Sequence, residues 1–553
     1  MARLGRLTRE LQRRHVYRVA VVYAAVAFVL WQAAEIVVPA LRLPDWTLTL
    51  VVVATLAGFP VAVLLAWAFD VRVPWLRRSE DAVTSLEERR PRDLRSVAVL
   101  PFANLSADLE NEYFSDGVTE DIITHLCKIP ELKVISRYSV MQYKRKARNL
   151  REVGQDLGVA TILEGSVRRA ADRVRITAQL VDVRTDEHIW AETYDRELTD
   201  IFAIQSDVAI RIADALKATL SPAVRALIEK EPTVSLDAHN SYLLGRFYWN
   251  KRTEQGFRRG LEHFEEAIEK DSSYALAHVG VADCYNLLPF YGDAHPGQAH
   301  PKAKAAALRA LELDDTLAEA HTSFAFVETW YDWDWSVAEV EFKRALALNP
   351  GYASAHHWYA WYHTIRGELD EAVARVARAR DLDPLSLIIN TDVGDLFYYA
   401  RRYDEALKQQ RKTVGMDPSF WPAHVNLGRA CVQKGLFREA IDSFQEAVDL
   451  SKGHPSGIGM LGYAYALCGM GSDSLDMLQE LEELSARVNV PSYLRAMVHV
   501  GLGDKDQAFA WLERAQTERD SAWLVYYLKA DPWADSLRQD VRFAQLLERM
   551  GLR

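Results

Sequence analysis

Cysteine is scarce in this chain of 553 residues: Cys127, Cys284, Cys431 and Cys468 are scattered, with no C-x-x-C pair. That excludes a disulfide framework and a zinc ribbon, and it suits a reducing compartment. A Gly-rich phosphate loop, a G-x-G-x-x-G turn and a G-x-S-x-G elbow are all missing, which removes the usual nucleotide-binding and serine-nucleophile readings. Lysine is thin, 17 against 49 arginines, a skew that hints at a GC-rich bacterial genome. Beyond residue 95 positive charge is outweighed, 52 basic against 68 acidic side chains. Nucleic-acid binding needs a basic surface to displace counterions, so it is not expected.

The amino-terminal part lacks charge altogether over long runs. Residues 47–69 form a 23-residue stretch with no charged side chain, and residues 19–41 carry only Glu35. Each is long enough to cross a hydrocarbon core of about 30 Å as a helix. Trp31, Trp46, Trp67 and Trp75 stand near the ends, where amphipathic rings prefer the headgroup level. Both runs exceed the apolar core of a cleaved signal peptide. Six arginines precede the first span and Arg72, Arg77 and Arg78 follow the second, whereas the connection between them holds Arg42 against Asp45. The positive-inside bias predicts a hairpin in a bacterial inner membrane with both termini cytoplasmic; the alternative places the soluble part in the periplasm. Residues 1–18 read as a basic cytoplasmic segment and 70–95 as a charged linker.

Past this point the chain is repetitive. The stretch HHWYAWYH, His356 to His363, sets His356 and His363 seven residues apart on one helix face, in principle able to share a metal ion. The same phrase recurs, however, with an Ala-His pair ending at His278, His321, His356 and His424. Ala338, Ala372, Ala406, Ala440, Ser474 and Ala508 follow one another at intervals of 34, the mark of a stacked array. A bulky residue stands four later (Phe342, Val376, Phe444), a small one seven later (Ala345, Ala379, Ala447), and proline twelve later (Pro350, Pro384, Pro418). Twelve earlier come Ala360, Gly394, Gly428, Gly462 and Ala496, where two helices approach closely. Each unit is therefore a helical hairpin, the histidines belong to its packing, and no metal or cofactor is expected. The unit, best seen in residues 367–384 and 426–450, resembles the tetratricopeptide repeat (TPR). About eight units fill 232–520, with residues 251–260 and 289–301 lengthening turns in the first two, and 521–553 capping the last apolar face.

Between linker and repeats the texture is mixed. Strand-type runs at 96–102 and 132–137 alternate with helix-periodic segments at 109–129 and 150–159; three alternating runs then make an antiparallel meander, closed by a helix over 201–220. The phrases VAVLPFANLS, YFSDGVTEDIITHL, ILEGSVRR, VRITAQLVD and HIWAETYDRE resemble the TolB amino-terminal-like domain of bacterial membrane-attached TPR proteins. The predicted fold class is thus multi-domain: a two-helix transmembrane hairpin, a small α+β domain over 96–221, and an all-α TPR solenoid. In that family the arrangement is often joined to an adenylate/guanylate cyclase, kinase or winged-helix domain, none of whose signatures is in this sequence. The resemblance implies a regulatory role.

The leading expectation for function is a non-enzymatic, membrane-tethered scaffold that presents a preformed concave groove to a protein or peptide and meets the lipid bilayer through residues 19–69. By register, His357, Trp361, Thr391, Asp395, Asn426 and Arg429 face that groove. A carboxylate clamp would need lysine where Val279, Thr322, His357, Thr391 and Val425 stand. The alternative is a small-ligand sensor in the 96–221 domain, with Asp116, Glu120, Arg168 and Arg173 as a possible ligand or anion site. A remote third reading is an unrecognised hydrolase that uses Asp116 and Glu120 for acid–base work. Against both stands the plainer view that Asp116-Gly117 forms a turn at a helix amino terminus, where acids complement the dipole, and that the arginines line an exposed hairpin.

Overall fold

The computed structural model describes residues 46, 47, 53, 55, 95–106, 112–144, 149–170, 172–291, 294–519 and 528–553. The segments predicted at 1–18, 19–41 and 70–94 lie outside these residues, as does most of the second span. Trp46, Thr47, Val53 and Thr55 are helical, and no described helix is long and apolar enough to cross a membrane. The transmembrane hairpin therefore has no support in the described structure. Everything below belongs to one compact unit, Arg92–Arg553.

A small α+β domain comes first. Its strands are β1 (Ser96–Val99), β2 (Ala103–Asn104), β3 (Lys133–Val134), β4 (Thr161–Ala170), β5 (Arg173–Asp182) and β6 (His188–Glu197), in the order β3-β1-β4-β5-β6 with β2 also on β4. The pairs β1–β3 and β1–β4 are parallel, β4–β5 and β5–β6 antiparallel. Strand β1 is short, apolar and wholly buried, as befits a parallel strand covered on both faces. On β5, Val174, Ile176, Ala178 and Leu180 are fully buried and Arg173 and Arg175 exposed, the alternation of a sheet with one wet face. Two helices pack together over the apolar side, α1 (Glu112–Cys127) and α4 (Ile201–Ala215). Shorter helices complete the domain: α2 (Arg137–Met141), α3 (Leu150–Leu157) and α5 (Pro222–Glu229).

Eight antiparallel helix pairs follow. They are α6 (Leu236–Trp249) with α7 (Glu254–Lys270), α8 (Ala275–Tyr291) with α9 (Pro296–Leu313), α10 (Ala318–Val327) with α11 (Trp335–Leu348), α12 (Ala353–Arg366) with α13 (Leu369–Leu382), α14 (Leu387–Tyr399) with α15 (Tyr403–Met416), α16 (Trp421–Gln433) with α17 (Phe437–Ser451), α18 (Pro455–Leu467) with α19 (Gly471–Ser485), and α20 (Ser492–Gly501) with α21 (Lys505–Glu518). A 3-10 turn, Pro532–Leu537, and a last helix, α22 (Val541–Arg549), end the chain. First helices of successive pairs touch one another all along the array. They thus line its concave side.

The 34-residue period is a period of physical demands. Ala338, Ala372, Ala406, Ala440, Ser474 and Ala508 have no exposed surface, and Phe342 and Phe444 are buried whole. A Cβ on Gly428 would lie 2.5 Å from the Phe444 ring, so only glycine admits that ring. Among the described residues, seven of the eight hairpin turns hold one residue in the left-handed region, at Arg252, Trp333, Gly367, Arg401, Gly435, Gly469 and Gly503. Glycine takes this conformation freely and serves at four of the seven; Arg252, Trp333 and Arg401 adopt it at a cost. The expected long turn at 251–260 is absent, because Thr253 caps α7 by accepting a bond from the Gly256 amide and the helix starts at once. Much of 289–301 is likewise helical, with His295 capping α9.

The recurring histidine serves the turns between pairs. Its Nε2 meets the carbonyl oxygen six residues earlier: His278 on Ser272 (3.4 Å), His321 on Asp315 (2.9 Å), His356 on Pro350 (3.0 Å) and His424 on Pro418 (2.9 Å). At the same register Asn390 donates its amide to the Pro384 oxygen at 2.8 Å. One N–H satisfies a carbonyl left over at a helix end. Burial pushes the His356 imidazole down to about 4, so it is neutral at pH 7 and donates through Nε2. Replacement of His356 by alanine is expected to cost about 1 kcal/mol, whereas His356→Asn, which copies Asn390, should keep most of it. Thermal unfolding of the two variants followed by circular dichroism checks the order.

Candidate functional site

The concave face was expected to be open, and the chain itself fills it. The α+β domain covers the first half. Gly117 lies inside α1, where a Cβ would come within 2.5 Å of Leu243 on α6; Asp116-Gly117 is thus a point of helix–helix approach and not a turn. Glu120 accepts from Arg246 Nη2 (2.7 Å) and Nε (2.9 Å), and Arg137 Nε stands 3.0 Å away. Asp116 pairs with Lys144 at 2.5 Å and Arg137 at 3.9 Å. Burial raises both carboxyls; at Asp116 it prevails, while at Glu120 the two arginines outweigh it and bring the group below its ordinary value. Farther along, Ser139 on α2 donates its amide (3.1 Å) and hydroxyl to Asp383, and the Ser136 amide donates to the Leu382 oxygen at 2.8 Å. A Cβ on Gly351 would sit 3.0 Å from the Cys127 carbonyl. The domain is keyed to the first four repeats.

This geometry corrects the second expected site. Asp116 and Glu120 are each ion-paired where the domain meets the repeats, Asp116 with Lys144 and Arg137, Glu120 with Arg137 and Arg246. Arg168 and Arg173 sit on the exposed face of the sheet, the one opposite α1. Arg173 pairs with Asp195 at 2.6 Å, and Arg175, facing Arg168 across the β4–β5 ladder, binds the same carboxylate. The four residues do not form one site. Among the described residues no group of His, Cys, Asp and Glu could hold a metal ion.

Over the second half lies the carboxy-terminal segment. Arg429, 4% exposed, donates Nη1 to Asp395 (2.9 Å) and Asn426 (3.2 Å), and Nη2 to Tyr399 (3.0 Å) and to Asp531 of the tail (2.7 Å). Tyr398 donates its hydroxyl to the other Asp531 oxygen at 2.8 Å and sets its ring 4.4 Å from the guanidinium carbon. Beside this cluster His357 bonds Asp392, which also accepts from Trp361 Nε1 at 2.9 Å. Thr391 is fully buried, and its carbonyl oxygen takes the Gln410 amide. Of the six groove residues read from the register, five are thus buried and Asn426 is half-buried. They face inward, but not onto water. Tyr398 and Asp531 were missed; the available signal was Arg429 itself, a charge amid the apolar run of α16, which demands a buried partner.

One guanidinium here serves two carboxylates. Burial, opposed by Arg429, leaves Asp395 up at about 7 and Asp531 above its usual range. Arg429 is held well above its ordinary value, since Tyr399 and the carboxylates more than offset its burial.

Models of the tetratricopeptide repeat match residues 330–386, 392–455 and 490–514. The repeats are TPRs. Among curated relatives, "Putative adenylate cyclase 3" of Rhizobium meliloti is 38% identical over 240 residues, 42% of this chain and 40% of its own length. "Transcriptional regulator HilA" of Salmonella typhimurium is 25% identical over 174 residues, 32% and 31% of the two chains. This chain thus spans less than half the length of either. Similar solved structures include YrrB, a TPR protein with an unusual peptide-binding site (22% identity, 35% of this chain and 95% of that one, TM-score 0.26), and a thermophilic TPR protein of Thermus thermophilus (18%, 35% and 99%, TM-score 0.31).

A carboxyl whose folded pKa is raised binds more protons folded than unfolded, so its contribution is full below its unfolded value and fades as pH rises through the folded one. Asp283 and Asp383, lifted by burial to about 6, act in the same sense. These carboxyls make the thermal midpoint decline as pH rises from 5 to 8, against the opposite effect of buried histidines such as His300 and His356, held down at about 3 and about 4. Asp395→Asn should flatten the upper part of that decline, as read by melting across a buffer series.

Proposed function

We propose that this chain is a non-enzymatic scaffold, held at a bacterial inner membrane by residues 19–69, whose TPR array engages protein or peptide partners in a regulatory role on the cytoplasmic side. The observation that carries this reading is the use the array already makes of its concave face. It holds polypeptide from outside itself along both halves, with backbone carbonyls, buried charges and ring stacking as the means of grip. A stacked array offers such a surface with little ordering cost. The relative named a putative adenylate cyclase supports a setting in signalling, and residues 96–221, with their TolB-like phrases, are its regulatory partner domain.

The sensor alternative gains less. Where the α+β domain meets the repeats there is a cavity of about 80 Å³ lined by Asp121, His125, Lys128, Lys230, Asp314 and Glu319, room for a few waters and little more.

Two measurements test the proposal. The full chain should remain in the membrane pellet through an alkaline carbonate wash; release to the supernatant contradicts the tether. Extracted in detergent, it should carry a partner at fixed stoichiometry that is lost when 232–553 are deleted. Equal recovery with residues 1–231 would place the interaction outside the repeats.

A further inference from the structure

The tail, Leu528–Leu552, is attached to the groove as a ligand is. Asp531, with no exposed surface, enters the Arg429–Tyr398 site, and its Oδ1 also accepts the Trp533 amide at 3.3 Å, so the acid both docks and caps the 3-10 turn behind it. Pro532, Trp533, Ala534 and Leu537 are all buried, and the turn packs against α20. The remaining polar links are largely peripheral: Arg401 with Asp535, Arg542 with Asp506, and Lys505 on the Ser536 oxygen join exposed groups. Exposed ion pairs hold little. The buried acid therefore anchors the segment together with an apolar side, on which Trp533, Leu537, Phe543, Leu546 and Leu552 are buried in the core of the array.

What the tail would leave behind matters equally. Without Asp531, Arg429 keeps Asp395, Asn426 and Tyr399, so the guanidinium and one carboxylate pair one to one. The groove's half of the cluster is self-sufficient, and its charge surplus arises only when the second acid is present. A site built in this way tolerates exchange of the acid.

We propose that Leu528–Leu552 is the chain's own occupant of a peptide site, and that the external partner of this site is a polypeptide with an acid–proline–aromatic element like Asp531-Pro532-Trp533, which docks on Arg429 and Tyr398 when the tail leaves. The proposal rests on the reading of the array as a partner-binding scaffold and names the partner's chemistry. Because the tail competes at the high effective concentration of a tethered segment, the intact chain binds such a partner weakly. The tail also reaches the third and fourth repeats, where Trp335 Nε1 donates to the Met550 oxygen at 2.9 Å and Arg366 contacts the Gly551 oxygen at 3.4 Å; its release unlinks those repeats from the eighth.

The test uses the full chain in detergent and a fluorescein-labelled peptide of residues 528–552. Asp531→Ala/Trp533→Ala in the chain should bind the peptide at least tenfold more tightly than wild type does. Asp531→Asn is a milder second variant that keeps the shape of the side chain and should show a smaller gain. Arg429→Met added to either variant, or Asp531→Ala in the peptide, should abolish that gain. Equal affinity in wild type and both variants, or no binding to variants that melt cooperatively, overturns the proposal. So does a concentration-dependent dimer of the wild-type chain with tails exchanged, which makes a second copy the occupant. A cellular partner recovered equally with wild-type and Arg429→Met chains also overturns it, while leaving the scaffold reading in place.

Discussion

A buried guanidinium cannot be left without a carboxylate, and Arg429 places that demand at the middle of the concave face. Asp395, one repeat earlier, answers it from within the array, and Asp531, about a hundred residues later, answers it again from outside. The second answer brings the end of the chain across the repeats. With it come the Trp533 contact, the closure of α22 over α21, where Arg542 lies 4.1 Å from the Phe509 ring centre, and the contacts of the last residues with Trp335 and Arg366. Removal of one partner of such a pair typically costs about 3–5 kcal/mol, a large share of a domain's net stability. A surface of stacked helices that would otherwise face water becomes interior.

The opposite half obeys a different constraint. There the α+β domain approaches closely enough that two glycines, Gly117 and Gly351, mark where side chains cannot be. The contact is polar at its rim and charged within: Arg246 links Glu120 of α1 to Asp283 of the second repeat. The two occupants divide one surface between them, and the array is a frame for both.

The array was legible in the sequence because its periodicity reflects repeated local demands: a small residue beneath a ring, an inward bulky side chain, an N–H for a stranded carbonyl. The strands of the meander were legible from alternation. Two features were not. Trp333 and Arg401 occupy left-handed positions that glycine marks elsewhere, so the turn signal fades where stacking on Arg519 (4.5 Å) or pairing with Asp535 offsets the backbone cost. The filled groove was hidden for a more basic reason. Helical register tells which side of a helix faces the concave surface, but not what lies on that surface, and pairings that span 100 to 250 residues leave no periodic trace. His357, Trp361 and Asp395 are buried against Asp392 and Arg429, contacts that register alone does not reveal.

The closed concave face is tested most directly by crosslinking across it. With Cys468, the exposed cysteine, changed to serine, Arg401→Cys and Asp535→Cys are introduced together and treated with a short bismaleimide at high dilution. The account predicts a crosslink within single chains, seen by mass spectrometry as a 401–535 linked pair in the monomer band. Modification of both cysteines without a link, or links between different chains only, would contradict it.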